Sequence, residues 1–339
     1  MLSPARERSG PPATPRFPSH PARTRLIDRR RGTALQCVDA TGGPRVPKVL
    51  LVTGGAGFIG GHVLATALAA GWGVINADRA QAAPISGVDF RELDITDEAA
   101  AGALISDARP DAVIHCAAIG DIDEAERDPY FTWRVNVNGT ANVARAAAQT
   151  RAHLVFLSTS TIFDGKRGNC IEEDPPNPLN VYGHTKVAAE YAIRVLHPAA
   201  TIARISMAYG YPRTGGASFL TRVEQALRSG KPTNQPGDEF RTPIDVLTCA
   251  DALVELAGTH TQGTIHLGPR ERISRYDFAL KVARRLGVDE RLVQDRRAQT
   301  LPGRAPRPKD VSFDTTRAHQ MLRTTLLDTD RGLARVMGG

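Results

Sequence analysis

The chain has few cysteines, and their spacing excludes the usual cysteine-built sites. The four cysteines are Cys37, Cys116, Cys170 and Cys249. They form no C-x-x-C pair and no metal-ligand spacing with histidine. The nine histidines also lack the spacing of a triad or a metal site. We therefore expect no metal site, and the sparse cysteines fit a reducing, cytoplasmic setting.

Long apolar runs are also missing. No stretch of about 18 apolar residues is available to cross a membrane. The start of the chain lacks the apolar segment of a secretory signal. Contact with a membrane is therefore not expected.

Most of the chain lacks the basic excess that is typical of nucleic-acid binding. The formal net charge is +7, but residues 1–48 hold ten Lys or Arg and three acidic residues. The remaining residues hold 33 of each sign. This neutral body argues against a nucleic-acid partner.

Residues 1–46 combine basic charge with many prolines and no apolar periodicity. We predict that they form a disordered, Arg/Pro-rich extension. An Arg-rich, acid-poor start is also typical of transit peptides, but the prolines argue against an amphipathic helix there. A start codon assigned too far upstream is a simpler explanation of the same stretch.

The most informative stretch is an apolar strand followed by a glycine-rich turn. Residues 48–53 are mostly branched and apolar, as in a buried parallel strand. Gly54, Gly57 and Gly60 follow in a G-x-x-G-x-x-G pattern, and Gly55, Gly57 and Gly60 also satisfy G-x-G-x-x-G. A helix is predicted from Phe58 to Ala70. Such a turn lets backbone N–H groups and the positive helix end approach a pyrophosphate. It predicts dinucleotide binding, although glycine turns also occur for structural reasons alone.

The end of the second predicted strand, GVINAD, indicates which dinucleotide is preferred. Asp78 stands there, 18 residues beyond Gly60. Its carboxylate can accept hydrogen bonds from both ribose hydroxyls and repel a 2′-phosphate, which favours NAD. Arg79 follows directly and could meet a phosphate, so NADP remains possible.

Strands and helices continue to alternate, which predicts an α/β fold with a doubly wound parallel sheet, the Rossmann fold. We expect the dinucleotide-binding domain to span residues 47–206, with segments around 244–268 returning to it. Residues 207–339 are expected to form mainly a smaller C-terminal substrate-binding lobe.

Further cofactor contacts are expected where later strands reach the same edge of the sheet. Asp94 and Ile95 follow the third strand, where an adenine edge would lie, although this stretch could simply cap the next helix. Ala117 and Ala118 end the fourth strand with small side chains that leave room for the dinucleotide. Asn136 lies in a helix predicted from Asp128 to Gln149. It either pins neighbouring loops, which we favour, or holds a water near the reaction.

A tyrosine and a lysine at helical spacing complete the predicted site. Tyr182 and Lys186 lie at i and i+4, so both point toward the hydroxyls of Thr159 and Ser160 at the end of the strand HLVFLST. A nearby ammonium and a cationic nicotinamide would lower the pKa of the phenol. Alone, this spacing usually marks only a solvated helix face. The expected cofactor contacts are Gly54, Gly57, Phe58, Ile59, Gly60, Asp78, Arg79, Asp94, Ile95, Ala117, Ala118, Asn136, Tyr182 and Lys186.

These motifs resemble the extended short-chain dehydrogenase/reductase family, and within it the dTDP-4-dehydrorhamnose reductases. The resemblance covers residues 48–318. Its most specific parts are DIDEAE from Asp121, STSTIFDG from Ser158 and EEDPPNPLNVYGHTK from Glu172. It implies that Thr159, Tyr182 and Lys186 are catalytic, with hydride transfer to a sugar C4 ketone and Tyr182 as proton donor.

Departures from the family pattern lie on the expected substrate side. Related dehydratases carry an Asp-Glu pair where this chain has Ser160-Thr161, so no carboxyl group is supplied for an elimination. The reductases have Asp and Tyr at these two positions and Trp at Met207. The sugar itself therefore stays open.

The resemblance also nominates substrate contacts and partners. Ser160, Phe163, Arg241 and Arg307 are expected to bind the substrate, a small molecule and most plausibly a nucleotide sugar. A guanidinium fork matches the oxygens of a pyrophosphate, although either arginine could instead form a salt bridge. Family members commonly form homodimers through two helices, here the ones that begin near Asp128 and Tyr182.

Two other functions fit the same residues. An epimerase or another carbonyl reductase could use the same Thr, Tyr and Lys. A non-catalytic NAD(P)-binding regulatory subunit, like the β subunit of methionine adenosyltransferase, shares the Y-x-x-x-K and proline-loop stretches.

Overall fold

The computed structural model describes residues 48–81, 84–213, 217–297 and 305–338. The predicted extension, residues 1–46, and Cys37 lie outside the described residues. The described residues all belong to one compact unit.

The strands of the described residues are short and mostly apolar. In chain order they are β1 Val49–Thr53, β2 Gly73–Asp78, β3 Val88–Glu92, β4 Ala112–His115, β5 His153–Thr159, β6 Thr201–Ile205, β7 Met207–Tyr209, β8 Thr233–Gln235, β9 Phe240–Arg241, β10 Pro243–Asp245, β11 Gly263–Leu267, β12 Ile273–Ser274 and β13 Val293–Asp295.

Most of these strands are joined by helices. In chain order the helices are α1 Phe58–Ala69, α2 Glu98–Ala108, α3 Ile122–Arg127, α4 Pro129–Trp133, α5 Thr140–Thr150, α6 Val181–Leu196, α7 Phe219–Arg228, α8 Val246–Thr259, α9 Arg275–Leu286, α10 Thr316–Met321 and α11 Thr329–Met337. A π-helical segment, Arg134–Gly139, joins α4 to α5, and short 3₁₀ turns occur at Ser160–Ile162 and Glu290–Leu292.

Seven parallel strands form the central sheet in the order β11-β6-β5-β4-β1-β2-β3. The chain builds outward from β1 to β3 and then crosses to β4 on the other side of β1. This reversal opens a crevice beyond the carboxyl ends of β1 and β4, where ligands bind in such sheets. The predicted doubly wound Rossmann sheet is confirmed.

Both faces of the sheet are buried, because successive residues of a strand point to opposite sides. Leu50 and Val52 join an apolar cluster with α1 and α8. Leu51 points the other way, into a cluster with α2, α5 and α6. Buried on both faces, the strands read as continuous apolar runs.

The long helix predicted from Asp128 to Gln149 is interrupted. Asp128 caps its start by accepting a hydrogen bond from Phe131 N, but the turn at Arg134–Gly139 is π-helical. Thr140, the residue after this turn, donates its hydroxyl to the Asn136 carbonyl within the turn over 2.7 Å. The side chain of Asn136 is also bound elsewhere, as described below. Such interruptions are frequent at functional sites.

The later part of the chain adds short strands and a separate apolar cluster. Its strands form the pairs β7 with β10, β8 with β13, and β9 with β12. Tyr209, Leu220 and Phe278 lie in an apolar cluster to which α7, α9 and α11 contribute. Strand β11 returns to the main sheet beside β6. The division into a dinucleotide-binding domain and a C-terminal substrate-binding lobe at residue 206 stays a prediction.

Candidate active site

The glycine turn after β1 is packed too closely for side chains. Gly54 has a φ of +74°, and a Cβ there would lie 2.5 Å from Ala117 N. A Cβ on Gly60 would lie 2.1 Å from the Gly54 carbonyl oxygen. Both glycines therefore allow α1 to begin directly against the ends of β1 and β4.

The open side of this turn fits an anion. Gly57 is exposed and is the N-cap of α1, and no side chain of the described residues caps it. A helix start without a capping side chain presents backbone N–H groups and the positive dipole end. Phe58 and Ile59 form the first turn, with Ile59 packed on the core and the Phe58 ring edge-on to His62 at 6.2 Å. The turn thus fits the pyrophosphate of a dinucleotide.

Asp78 lies at the end of β2 beside the turn. Its Oδ2 accepts a hydrogen bond from Ala56 N over 2.9 Å, and its Oδ1 accepts one from Arg79 N over 2.7 Å. The carboxylate is half-buried and supports the glycine turn, while Arg79 is exposed. Each carboxylate oxygen keeps a second lone pair for a ribose hydroxyl.

The predicted cofactor contacts after β3 and β4 differ in solvent exposure. Asp94 is exposed and accepts a hydrogen bond from Thr96 N over 2.8 Å, which lowers its pKa. Ile95 is buried and contacts the Cα side of Gly139, so its side chain serves the core. Ala117 and Ala118 are partly exposed beyond β4, beside Gly54.

Asn136 pins a loop. Its Oδ1 accepts from Ile119 N over 2.8 Å, and its Nδ2 donates to Ile119 O over 3.1 Å and to Thr185 Oγ1 over 3.0 Å. These contacts tie the loop after β4 to the residue before Lys186. The predicted structural role accounts for its buried amide, and a direct cofactor contact stays a prediction.

Tyr182 and Lys186 lie on the inward face of α6 at the end of β5. Lys186 is 3% exposed, and its Nζ donates to Leu157 O over 2.8 Å. Its ammonium also lies 3.9 Å from the centre of the Phe156 ring. The Thr159 side chain lies beside the Tyr182 hydroxyl and lowers its pKa, while Thr159 Oγ1 donates to Thr161 Oγ1 over 3.1 Å. The structure thus brings the three predicted catalytic residues together beside the crevice.

Burial sets the protonation of this pair. It raises the pKa of Tyr182 to about 12, against the smaller effect of the Thr159 side chain, which lowers it. Burial has this effect in the protein alone because a phenolate is poorly solvated here. The expectation that Lys186 and a cationic nicotinamide together lower the pKa of Tyr182 concerns the complex with cofactor and stays a prediction. Burial also lowers the pKa of Lys186 to about 7, with Glu190 acting in the other direction.

Two residues to which the sequence assigned no role fix the start of α6. Glu126 accepts a hydrogen bond from Val181 N over 2.8 Å. Asn180 is the N-cap: its Oδ1 accepts from Gly183 N and its Nδ2 donates to Pro306 O. An Asn before a predicted helix is a cap signal that could have been recognised. Glu126 lies in the DIDEAE motif, but its partner 55 residues away has no local signal.

The predicted substrate residues are dispersed. Ser160 is buried beside Thr159, and its Oγ donates to Ser206 Oγ over 3.2 Å. Phe163 is packed edge-on to His266 and Phe313, with ring centres 6.1 and 6.4 Å away. Because this ring fills a core that a distant segment completes, its contact with substrate stays a prediction that the packing does not support.

Arg241 and Arg307, the two arginines predicted to bind a pyrophosphate, form hydrogen bonds with other residues of the chain. Arg241 donates to Phe240 O, Lys309 O and Pro308 O over 2.7, 2.9 and 3.1 Å. These bonds tie it to the C-terminal segment, so its geometry favours the structural alternative. Arg307 donates to Asp123 Oδ2 over 2.8 Å, which matches the salt-bridge alternative. A pyrophosphate role for either stays a prediction that these contacts do not support.

Two wider features of the described residues bear on function. None of their helices is long and apolar enough to pass through a membrane. No group of three or more His, Cys, Asp or Glu among them could hold a metal ion.

The chain matches the family model described as the RmlD substrate binding domain over residues 48–338. It is 30% identical over 266 residues to the dTDP-4-dehydrorhamnose reductase of Mycobacterium tuberculosis (strain CDC 1551 / Oshkosh), covering 76% of this chain and 82% of the relative. It is 28% identical over 274 residues to the methionine adenosyltransferase 2 subunit beta of Bos taurus, covering 79% and 80%.

A solved structure has the same fold. The UDP-glucose 4-epimerase of Thermus thermophilus, in complex with NAD, superimposes with a TM-score of 0.71 at 25% identity, over 86% of this chain and 99% of that chain. The resemblance stated from the motifs is thus confirmed. Since the family match runs from β1 through α11, the chain belongs to the RmlD substrate binding domain family, among proteins like the dTDP-4-dehydrorhamnose reductases.

Proposed function

We propose that the chain is an NAD(P)H-dependent reductase of a nucleotide-linked 4-keto sugar. The observation that carries the proposal is the placement of Tyr182 and Lys186 on one face of α6, against Thr159 at the carboxyl end of β5. The family membership and the 30% identity to a dTDP-4-dehydrorhamnose reductase support the same reaction class.

The cofactor is held at the carboxyl edge of the sheet. The N-terminus of α1 receives the pyrophosphate, and Asp78 receives the adenosine ribose hydroxyls, which favours NAD over NADP. The NAD complex of the Thermus thermophilus epimerase supports a nicotinamide dinucleotide. When bound, NADH supplies the hydride that reduction of a ketone to an alcohol requires.

The chain's own residues supply the proton and its orientation. Tyr182, with a pKa raised to about 12, holds its proton at neutral pH and can give it to the sugar oxygen as the C4 carbonyl becomes an alcohol. Thr159 orients the phenol. Lys186 in its cationic form stabilises the tyrosinate that is left and can hold a ribose hydroxyl of the cofactor.

The 28% identity to methionine adenosyltransferase 2 subunit beta favours one second candidate, a regulatory subunit that binds NAD(P) without catalysis. Retention of Thr159, Tyr182 and Lys186 together supports the reductase instead. An epimerase or another carbonyl reductase would use the same three residues.

The test is to follow NADH oxidation by absorbance with a panel of nucleotide-linked 4-keto sugars. Turnover of one member supports the reductase. Tight NADH binding with no turnover across the panel would favour the regulatory subunit. Interconversion of C4 epimers with bound NAD and no net oxidation would favour the epimerase.

We also propose a homodimer. Large apolar side chains are exposed on the helical run from α4 to α5 and on α6: Tyr130 at 75%, Trp133 at 45%, Tyr191 at 56% and Val195 at 79%. Clustered exposed apolar groups mark protein interfaces more often than isolated ones. These are the two helices through which family members are expected to pair.

A reducing, cytoplasmic location is part of the same proposal. Cys116, Cys170 and Cys249 are free thiols, and burial raises the pKa of Cys116 and Cys170 to about 12 and about 11. Thiols that stay protonated and unpaired are suited to that setting.

A further inference from the structure

A buried ion pair lies one helical turn beyond Lys186. The side chains of Glu190 and Arg204 are each 2% exposed. Arg204 Nε donates to Glu190 Oε1 over 2.9 Å, and Nη2 donates to Oε2 over 2.7 Å. Apolar groups of similar volume often replace such a pair without loss of stability. Stability alone therefore does not account for it.

The pair belongs to a polar row that crosses three strands. Ser158, Arg204 and His266 are register partners on β5, β6 and β11. Ser158 Oγ donates to Glu190 Oε1 over 2.6 Å, and Arg204 Nη1 lies 3.2 Å from His266 Nε2. Glu190 is the group by which this row holds α6.

Helix α6 contacts three successive residues at the end of β5. Lys186 binds the carbonyl of Leu157, Glu190 binds the hydroxyl of Ser158, and Tyr182 interacts with Thr159. The middle contact is charged and fixed by Arg204. The ion pair with Arg204 therefore holds the part of α6 that carries Lys186 against β5 and β6.

The charge of Glu190 also bears on Lys186. The titratable groups that face Lys186 are Glu190 and Tyr182 from α6, His115 from β4, and Cys116 after it. Burial lowers the pKa of His115 to about 3 and raises those of Cys116 and Tyr182 to about 12, so these three are neutral at pH 7. Burial would raise the pKa of Glu190 as well, but Arg204, Ser158 and Arg194 together outweigh burial and lower this pKa, so the group stays ionised. Glu190 is the anion of this set.

We propose that Glu190 is a positioning residue for Lys186: its carboxylate, fixed by Arg204, favours the cationic form of Lys186 and seats α6 on the end of β5. A cationic Lys186 then binds a ribose hydroxyl of the cofactor and supports the tyrosinate. This consequence rests on the proposed function, whereas the effect on the charge of Lys186 does not.

The chain has only six lysines, so ¹³Cε-labelled lysine gives an NMR spectrum in which Lys186→Met identifies the signal of Lys186. Glu190→Gln keeps the side-chain length and an acceptor for Ser158 but removes the charge. The titration midpoint of Lys186 should move to lower pH by about one unit or more. An unchanged midpoint would overturn the proposal.

Ser158→Ala is the matched control, because it removes the hydrogen bond from Ser158 to Glu190 but leaves the carboxylate and its ion pair with Arg204. In Ser158→Ala the titration midpoint of Lys186 should stay near that of the parent. A shift as large as in Glu190→Gln would show that the loss of packing around Glu190, and not the loss of its charge, moves the midpoint, which contradicts the proposal. If Glu190→Gln does not fold, the double variant Glu190→Gln/Arg204→Met removes both buried charges. In this double variant the titration midpoint of Lys186 should also move to lower pH, because Glu190 raises the pKa of Lys186.

The cofactor gives a second readout. As the pH rises, NADH binding followed by fluorescence should begin to weaken at a lower pH in Glu190→Gln than in the parent, and Ser158→Ala should match the parent. A parent without reductase activity but with a shifted Lys186 midpoint in Glu190→Gln would contradict the proposed function and support this inference. An unchanged midpoint would overturn the inference whatever the activity.

Discussion

At the scale of single residues, Tyr182 is the group that the proposed chemistry depends on. Tyr182→Phe keeps the ring and its packing but removes the proton, so folding and NADH binding should survive. A general acid is worth about 10²- to 10⁴-fold, and kcat should fall by that factor with KM little changed. Tyr191→Phe, an exposed tyrosine on the same helix, is the control and should leave kcat unchanged. A Tyr182→Phe rate within about threefold of the parent would place the proton donor elsewhere.

Asp78 has two tasks, which a conservative substitution separates. Its Oδ2 supports the glycine turn at Ala56 N, and its charge should repel a 2′-phosphate. Asp78→Asn keeps an oxygen for Ala56 and removes the charge. The ratio of NADPH to NADH affinity, measured by fluorescence titration, should therefore rise. Equal losses for both cofactors would mean that the residue serves only the turn.

At the scale of elements, the sequence predicts what local chemistry dictates. Helix α1, expected from Phe58 to Ala70, spans Phe58–Ala69, because glycines and a buried strand define its start. The π-helical turn was not predictable, since its Asn136 side chain accepts from Ile119 N and donates to Thr185 Oγ1, two partners that no local pattern indicates. The packing of Phe163 was not predictable for a similar reason: its partner Phe313 lies 150 residues further along the chain.

Helix α6 offers a test of how precisely an element must be placed. Glu126 binds Val181 N at its first turn, where a carboxylate also meets the positive end of the helix dipole. Glu126→Ala should lower the free energy of unfolding by about 0.5–2 kcal/mol and lower kcat more than NADH affinity. Glu124 is an exposed glutamate on α3, the short helix that also carries Glu126. Glu124→Ala should lower neither the free energy of unfolding nor kcat, measured in the same thermal melts and assays. Loss of stability with full activity would show that Glu126 anchors the helix without placing Tyr182.

At the scale of the whole molecule, the proposed dimer explains an otherwise costly surface. Tyr191 and Val195 lie at i and i+4 on α6, so they share one outward face, opposite the inward face that carries Lys186 and Glu190. Tyr130 and Trp133 are exposed on the neighbouring helical run. Pairing of these two helices with those of a second copy would bury this face, and a stable interface needs about 1,200–2,000 Å² in total.

Val195→Asp should therefore convert the protein to a monomer, because a charge buried in an apolar interface costs several kcal/mol unless it is paired. Light scattering coupled to size exclusion measures the mass directly. Met321→Asp places the same charge at an exposed apolar residue on α10, far from this face in sequence, and should leave the mass unchanged. The thermal melts of both variants should resemble that of the parent if the protomer folds alone. A parent that is already a monomer, or a Val195→Asp variant that remains a dimer, would mean that the apolar face on α4 and α6 serves another purpose.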